Sequence, residues 1–241
     1  MIILAMDSSA QNASVSLCDG DKQIAGMTLD NGNKHSETLL PMAEDIFGHT
    51  GLSADNIDLF AVTVGPGSFT GVRIGVSLVK GMAFGKNKPC VGVSSLESLA
   101  FNMIGTDGIV CSLIDARHEQ YYNALFRVKS GTLTRLCPDR IITSKELADE
   151  LADFDENVCL VGDGAKSVTE YLADNRIKSN VKIPQNYLML QNGYSVAMVA
   201  KRMYEEGKYT SDRLLVPIYL RASQAERERL EKIENSEISP R

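Results

Sequence analysis

Gly65-Pro66-Gly67-Ser68-Phe69-Thr70-Gly71-Val72-Arg73-Ile74-Gly75 decides how this chain folds. The apolar run before it, Leu59-Phe60-Ala61-Val62-Thr63-Val64, reads as a buried strand, and Val72 to Phe84 after it reads as a helix. A strand passing through a glycine-rich elbow into a helix leaves N–H groups unpaired at the helix start, where an anion or another backbone can dock. No Gly-Lys-Ser/Thr closes the elbow and Lys80 comes too late, so it is not a P-loop. GxxxG spacing recurs at Gly71/Gly75 and Gly81/Gly85. Each helix glycine costs roughly 0.5–1 kcal/mol relative to alanine, so four need a reason. Tight helix-on-sheet packing accounts for some of them. A second protein's backbone against this face accounts for the others.

Outward from the elbow, the elements come in an order that repeats. Ile2 to Met6 is an apolar strand ending at Asp7, and Ala13 to Cys18 turns at Asp19-Gly20-Asp21 into Gln23 to Leu29. Ser36 and Thr38 stand before Leu39, Leu40, Met42, Ala43, Ile46 and Phe47, the spacing of an amphipathic helix with Pro41 in its first turn. After the elbow helix comes a strand at Cys90 to Val93, and Ser94-Ser95-Leu96-Glu97 reads as a capping box. Gly108 to Ile114 then ends in Asp115 as Met6 ends in Asp7. Gln120 to Val128, Leu133 to Leu136, a helix capped at Thr143 to Leu147, Val158 to Val161 and Gly162-Asp163-Gly164-Ala165 complete the second pass. The order implies an internal duplication divided near Met103 to Asp107. It gives a first lobe over 1–103, a second over 104–224 whose last helices are free to pack back on the first, and a charged tail over 225–241. The last long helix is expected over Ser195 to Glu206, and the tail is expected to stay solvated.

Composition narrows the function. The 241 residues are 44% hydrophobic and 23% charged, ordinary for a globular protein. A net charge of −6 argues against this chain alone gripping a phosphate backbone, which needs clustered Lys and Arg. The five cysteines are spread out, with no CxxC, and read as small buried residues in a reducing cytosol. No apolar run approaches the ~20 residues that span a bilayer, so no membrane association is expected. The N-terminus reads as a first strand rather than a signal peptide, and the expected location is cytoplasmic.

Two such lobes, each with a strand-end aspartate, resemble the actin, Hsp70 and sugar-kinase superfamily of α/β folds. Within it, Ala5-Met6-Asp7-Ser8-Ser9, Lys34-His35-Ser36-Glu37-Thr38-Leu39-Leu40-Pro41, the elbow and Gly92-Val93-Ser94-Ser95-Leu96 resemble the bacterial TsaB (YeaZ) family. Asp115-Ala116-Arg117, Gly162-Asp163-Gly164-Ala165 and Pro217-Ile218-Tyr219-Leu220-Arg221 continue the resemblance through the second half. It implies a non-catalytic subunit in the synthesis of N6-threonylcarbamoyladenosine (t6A) at tRNA position 37. The implied partners are a TsaD-like catalytic subunit in a heterodimer and a TsaE-like ATPase, with tRNA reached only through the complex and a homodimer when the chain is alone.

The residues agree with a partner lacking chemistry of its own. TsaD-like proteins are implied to hold a metal with an HxxxH pair, whereas His35 has Leu39 at i+4 and His118 has Tyr122, so no metal and no catalytic residue is expected. Asp7 is followed by Ser8-Ser9-Ala10 and Asp115 by Ala116-Arg117, neither with the glycine of a phosphate loop. No cofactor is therefore expected. Asp7, Gly67, Arg73, Asp115, Gly162 and Gly164 remain candidates for a nucleotide or anion contact. The expected partner contacts are His35, Leu39 and Leu40 on the first helix and Gly71, Val72, Gly75, Val76 and Val79 on the elbow helix. The elbow helix carries apolar residues around nearly its full circumference, as a helix buried on two sides does. The chief alternative is an ATP-dependent sugar-kinase-like phosphotransferase with Asp7 as base. A glycoprotease or peptidase is a remote one, because Ser68 has no His beside it in sequence.

Overall fold

Ile2–Asp7 (β1), Ala13–Asp19 (β2) and Lys22–Leu29 (β3) open the chain as an antiparallel meander. The structure is a computed structural model and describes residues 1–32, 34–177 and 180–221; the charged tail expected over 225–241 lies outside the described residues. His35–Thr50 (α1) follows, then Leu59–Gly65 (β4), Phe69–Ala83 (α2), Cys90–Ser94 (β5) and Ser95–Phe101 (α3). The second half runs Gly108–Asp115 (β6), Gln120–Lys129 (β7), Thr132–Arg135 (β8), Arg140–Thr143 (β9), Ser144–Ala152 (α4), Val158–Val161 (β10), Ala165–Asp174 (α5), Val181–Lys182 (β11) and Gly193–Glu205 (α6).

The duplication is written in the sheet topology. The first sheet has the order β3-β2-β1-β4-β5, with β4 and β5 parallel to β1. Read from its other end, the second has β8-β7-β6-β10-β11, again a meander followed by two parallel strands. Each first strand ends in an aspartate, Asp7 or Asp115. The chain is an α/β protein of two mixed sheets flanked by helices. The short β9, which pairs with β7, has no counterpart in the sequence reading. Its four residues are too few to show a period.

Strand alternation assigns the layers. Leu4 and Met6 of β1 face α1 and α2 in one core, while Ile3 and Ala5 face α6 in another. Both faces are covered, which is why β4 reads as an unbroken apolar run and is buried at every residue. In the second lobe, Ile109, Cys111 and Leu113 pack with α4 and α5, while Val110 and Ile114 pack with α3. Two helices therefore cover a sheet across the lobe boundary or far along the chain. They meet where Ser195 Oγ donates to Asn102 Oδ1 at 2.6 Å.

Three local expectations change. α1 begins at His35, which puts Pro41 inside the helix rather than in its first turn. Pro41 is exposed, so water can serve the carbonyl its missing N–H leaves free. At Ser94 only half of a capping box forms. Ser94 Oγ accepts from Glu97 N at 3.3 Å, but the Glu97 carboxylate turns to Arg135 and Arg202 instead. Full boxes form at Thr143 and Glu146 and at Ser53 and Asn56. The helix expected over Ser195 to Glu206 starts at Gly193, capped by Asn192, and ends at Glu205.

Candidate functional site

The expected partner face is the layer formed by α1 and α2. Its inner side is sealed on the first sheet. Leu39, Val72, Val76 and Val79 are buried in the chain's own core beside Met42 and Ile46. Gly71 and Gly75 are buried with them, and their missing side chains have an internal purpose. A Cβ on Gly71 would overlap the Ser8 carbonyl oxygen, and one on Gly75 would lie 2.5 Å from Ser8 Oγ. These six residues face inward, against the chain's own sheet and the loop after β1. The elbow helix is apolar all round in sequence but is fully buried on one face only. The second glycine pair differs: Cβ atoms on Gly81 or Gly85 would meet nothing within 4 Å. Gly85 is needed for its φ of +73°, whereas Gly81 is helical and exposed.

The outer side carries the groups a partner can reach. Leu40 is 42% exposed on α1, and Ile74, Leu78 and Met82 form a half-buried stripe along α2 at i, i+4 and i+8. Thr70, Arg73, Ser77 and Gly81 are exposed beside that stripe. His35 is partly buried at the start of α1, with its Nε2 2.7 Å from the Ala10 carbonyl oxygen.

A strap that sequence reading missed runs beside α2. Residues 213–221 cross from α2 over the end of β4 to the turn between β6 and β7. Lys80 Nζ donates to the carbonyls of Arg213 and Leu215, at 3.1 and 3.0 Å. Leu215 is buried in the first-lobe core, and Ile218 N donates to the Val64 carbonyl at 2.7 Å. Tyr219 stacks on Phe69 at 4.7 Å, and Arg73 Nε donates to its hydroxyl at 2.7 Å. Arg221 reaches the Ala116 carbonyl and Gln120 in the second lobe. Leu214, Val216 and Ile218 alternate outward along it, 72%, 58% and 56% exposed. The alternation is legible in Leu214 to Ile218, but contact with α2 arises across more than a hundred residues and leaves no local signal.

Elements expected to hold an anion are filled by the chain itself. Asp7 is wholly buried. Its Oδ1 accepts from Ser9 N, Ser9 Oγ and Thr63 Oγ1, at 2.9, 2.6 and 3.0 Å, while Oδ2 has no partner among the described residues. Burial pushes its carboxyl above the usual carboxylate range, opposed by the bonds from Ser9 and Thr63. A Cβ on Gly67 would overlap the Ser9 carbonyl, and one on Gly162 the Leu113 carbonyl. Gly164 lies against the Tyr121 ring. The space that a side chain on any of these three glycines would need is taken by protein. Arg73 is held by the Tyr219 stack, and Asp115 is exposed with its N–H donated to Asp163 Oδ1 at 2.9 Å. An open cavity of about 320 Å³ lies nearby between the helix starts, lined by Gln11, Lys34, His35, Ser68 and Thr70 among others. Asp7 does not line it. Among the described residues, no group of three His, Cys, Asp or Glu is placed to hold a metal ion, and no helix is long and apolar enough to cross a membrane.

Residues 30–229 match the sequence profile of the family described as "TsaD: tRNA N6-adenosine threonylcarbamoyltransferase". The "tRNA threonylcarbamoyladenosine biosynthesis protein TsaB" of Bacillus subtilis is 33% identical over 162 residues, 67% of this chain and 71% of the relative. The chain belongs to this family, in its TsaB branch. The TsaB of Haemophilus influenzae is 28% identical over 237 residues, 92% of this chain and 94% of the relative. In fold the chain is similar to YeaZ from Pseudomonas aeruginosa, with a TM-score of 0.78 at 24% identity over 91% of this chain and 99% of that one.

Proposed function

We propose that this chain serves the biosynthesis of tRNA threonylcarbamoyladenosine as a non-catalytic subunit that docks a TsaD-like catalytic partner through the outer side of α1 and α2. Membership of the TsaB branch supports the pathway. The observation that carries the docking reading is the two-sidedness of α2. Its inner glycines are filled by Ser8, while Gly81 faces open space beside the stripe Ile74, Leu78 and Met82. A helix glycine without an internal neighbour costs about 0.5–1 kcal/mol and is explained by a backbone approaching from outside. A related fold presenting its own α1–α2 layer would complete a four-helix bundle, and a second copy of this chain would do the same in the partner's absence. The TsaE-like ATPase and tRNA then join through the complex, consistent with the chain's net charge of −6.

The sugar-kinase alternative is weakened by Asp7. A general base must come within hydrogen-bond reach of the proton it takes, and Asp7 is sealed from solvent and from the nearby cavity. The test of docking is Gly81→Glu and Leu78→Glu, since a charge at Gly75 or Val76 would instead enter the core. Both variants should fold, lose co-purification with a TsaD homologue, and fail to restore t6A in cells lacking the native subunit. Full binding and modification by both would place the interface elsewhere.

A further inference from the structure

The loop between β1 and β2 joins three structural facts that the docking reading leaves unused. Asp7 Oδ1 accepts three hydrogen bonds, two of them from Ser9 and one from Thr63 on β4. Ser9 so held presents its carbonyl to Ser68 N at 2.7 Å, and Ser68 Oγ in turn caps α2 by accepting from Gly71 N at 3.2 Å. One residue on, the Ala10 carbonyl meets His35 Nε2 at 2.7 Å, at the first residue of α1. Ser8 completes the contact, its Oγ donating to the Gly71 carbonyl at 2.9 Å. A single buried carboxylate oxygen thus sets the loop from which both helix starts are hung. The second oxygen has no partner among the described residues. An acid whose work is chemical needs access to a substrate, whereas an acid whose work is positioning needs only acceptors in the right place.

We propose that Asp7 is a positioning residue: through Oδ1 it braces the loop at residues 8–10, fixes the N-terminal ends of α1 and α2 relative to each other, and so sets the geometry of the docking face. This rests on the docking reading above, but the brace itself is a property of the free chain. The acceptor is what matters, not the charge. Asparagine keeps an Oδ1 acceptor in the same position and puts an uncharged amide nitrogen where the second oxygen stood. Alanine removes the acceptor and leaves Ser9 N, Ser9 Oγ and Thr63 Oγ1 unserved.

The experiment compares wild type, Asp7→Asn, Asp7→Ala and, as a control for lost stability alone, Leu147→Ala in the second-lobe core. Amide hydrogen exchange of each free chain is read at Ser68, Gly71 and residues 35–38, and affinity for a TsaD homologue is read at a temperature where all four are folded. Asp7→Ala should speed exchange at those amides and weaken binding about tenfold. Asp7→Asn should match wild type within about threefold in both. Leu147→Ala should lower the melting temperature with neither local change. The brace is overturned if Asp7→Asn behaves as Asp7→Ala does, or if Asp7→Ala leaves exchange at these amides unaltered. If wild type does not bind the TsaD homologue at all, the docking reading falls, and exchange in the free chain still decides the brace.

Discussion

The Ser8 carbonyl oxygen occupies the notch left by the absent side chain of Gly71, and Ser8 Oγ donates back to the Gly71 carbonyl at 2.9 Å. This contact locks the start of α2 onto the end of β1. It also separates Gly71 and Gly75, whose notches are filled from within the chain, from Gly81, whose side-chain position is open.

Gly71→Ala is therefore expected to destabilise. The obstacle is backbone at a buried site, which cannot swing away as a side-chain tip can, and overpacking of this kind costs about 1–3 kcal/mol. A shift of the urea midpoint with an unchanged slope would report it. An unaltered midpoint would mean that the loop yields freely.

Gly81→Ala should do the opposite in the free chain. The position is helical, exposed and without a neighbour within 4 Å, so alanine should stabilise by about 0.5–1 kcal/mol. A bulkier Gly81→Leu should hold that gain in the free chain yet weaken co-purification with the TsaD homologue. Calorimetric melting and pull-down of the same samples distinguish the two effects.

Asp7 predicts a pH dependence. Burial raises its carboxyl above the ordinary aspartate value, while Ser9, Thr63 and the nearby His35 pull it down less. The folded chain then binds more protons than the unfolded one. Its contribution is fully favourable below the ordinary value of about 3.9 and is lost as pH rises through the folded value. Asp7→Asn abolishes this term, so its stability relative to wild type should rise as pH rises. Melting curves of the two proteins over an acid-to-neutral series measure it, and parallel curves would contradict it.

Glu97 joins the lobes. Its Oε2 lies 2.7 Å from Arg135 of β8 and its other oxygen pairs with Arg202 of α6, while Arg135 also pairs with Asp139 at 2.5 Å. Ser94 Oγ at the end of β5 donates to Asp139 at 2.7 Å. Glu97 is only 16% exposed, so Glu97→Ala leaves two guanidinium groups without their shared carboxylate. A loss of about 2–3 kcal/mol is expected, below the range for fully buried pairs because both arginines are partly wetted. Chemical denaturation reads the loss, and Glu97→Gln should recover a small part of it.

The elements were legible because their signals are local. Ile2 to Met6, Leu59 to Val64 and Val158 to Val161 are almost wholly apolar runs, and the structure buries all of their residues except Ile2 and Cys159, which are partly covered. The repeated strand-end aspartates and turn residues placed the duplication, which the matched sheet orders bear out. The site was less legible. Val72, Val76 and Val79 were singled out as partner contacts because they are apolar, yet the same property draws them into the monomer core. The motif Pro217 to Arg221 entered only through the resemblance, and its place beside α2 left no local signal, since the contacts of Tyr219 are with Phe69 and Arg73, distant in the chain.

By itself the sequence determined the two-lobed α/β architecture, the TsaB-branch resemblance and the lack of paired metal-binding histidines, because each resides in the order and spacing of neighbouring residues. Only the tertiary structure decided which glycines are filled, which face of α2 is open, and that Asp7 is enclosed by Ser9 and Thr63. Periodicity says that a helix has an apolar face. Which side of that face meets its own sheet is fixed by close packing between segments far apart in the chain.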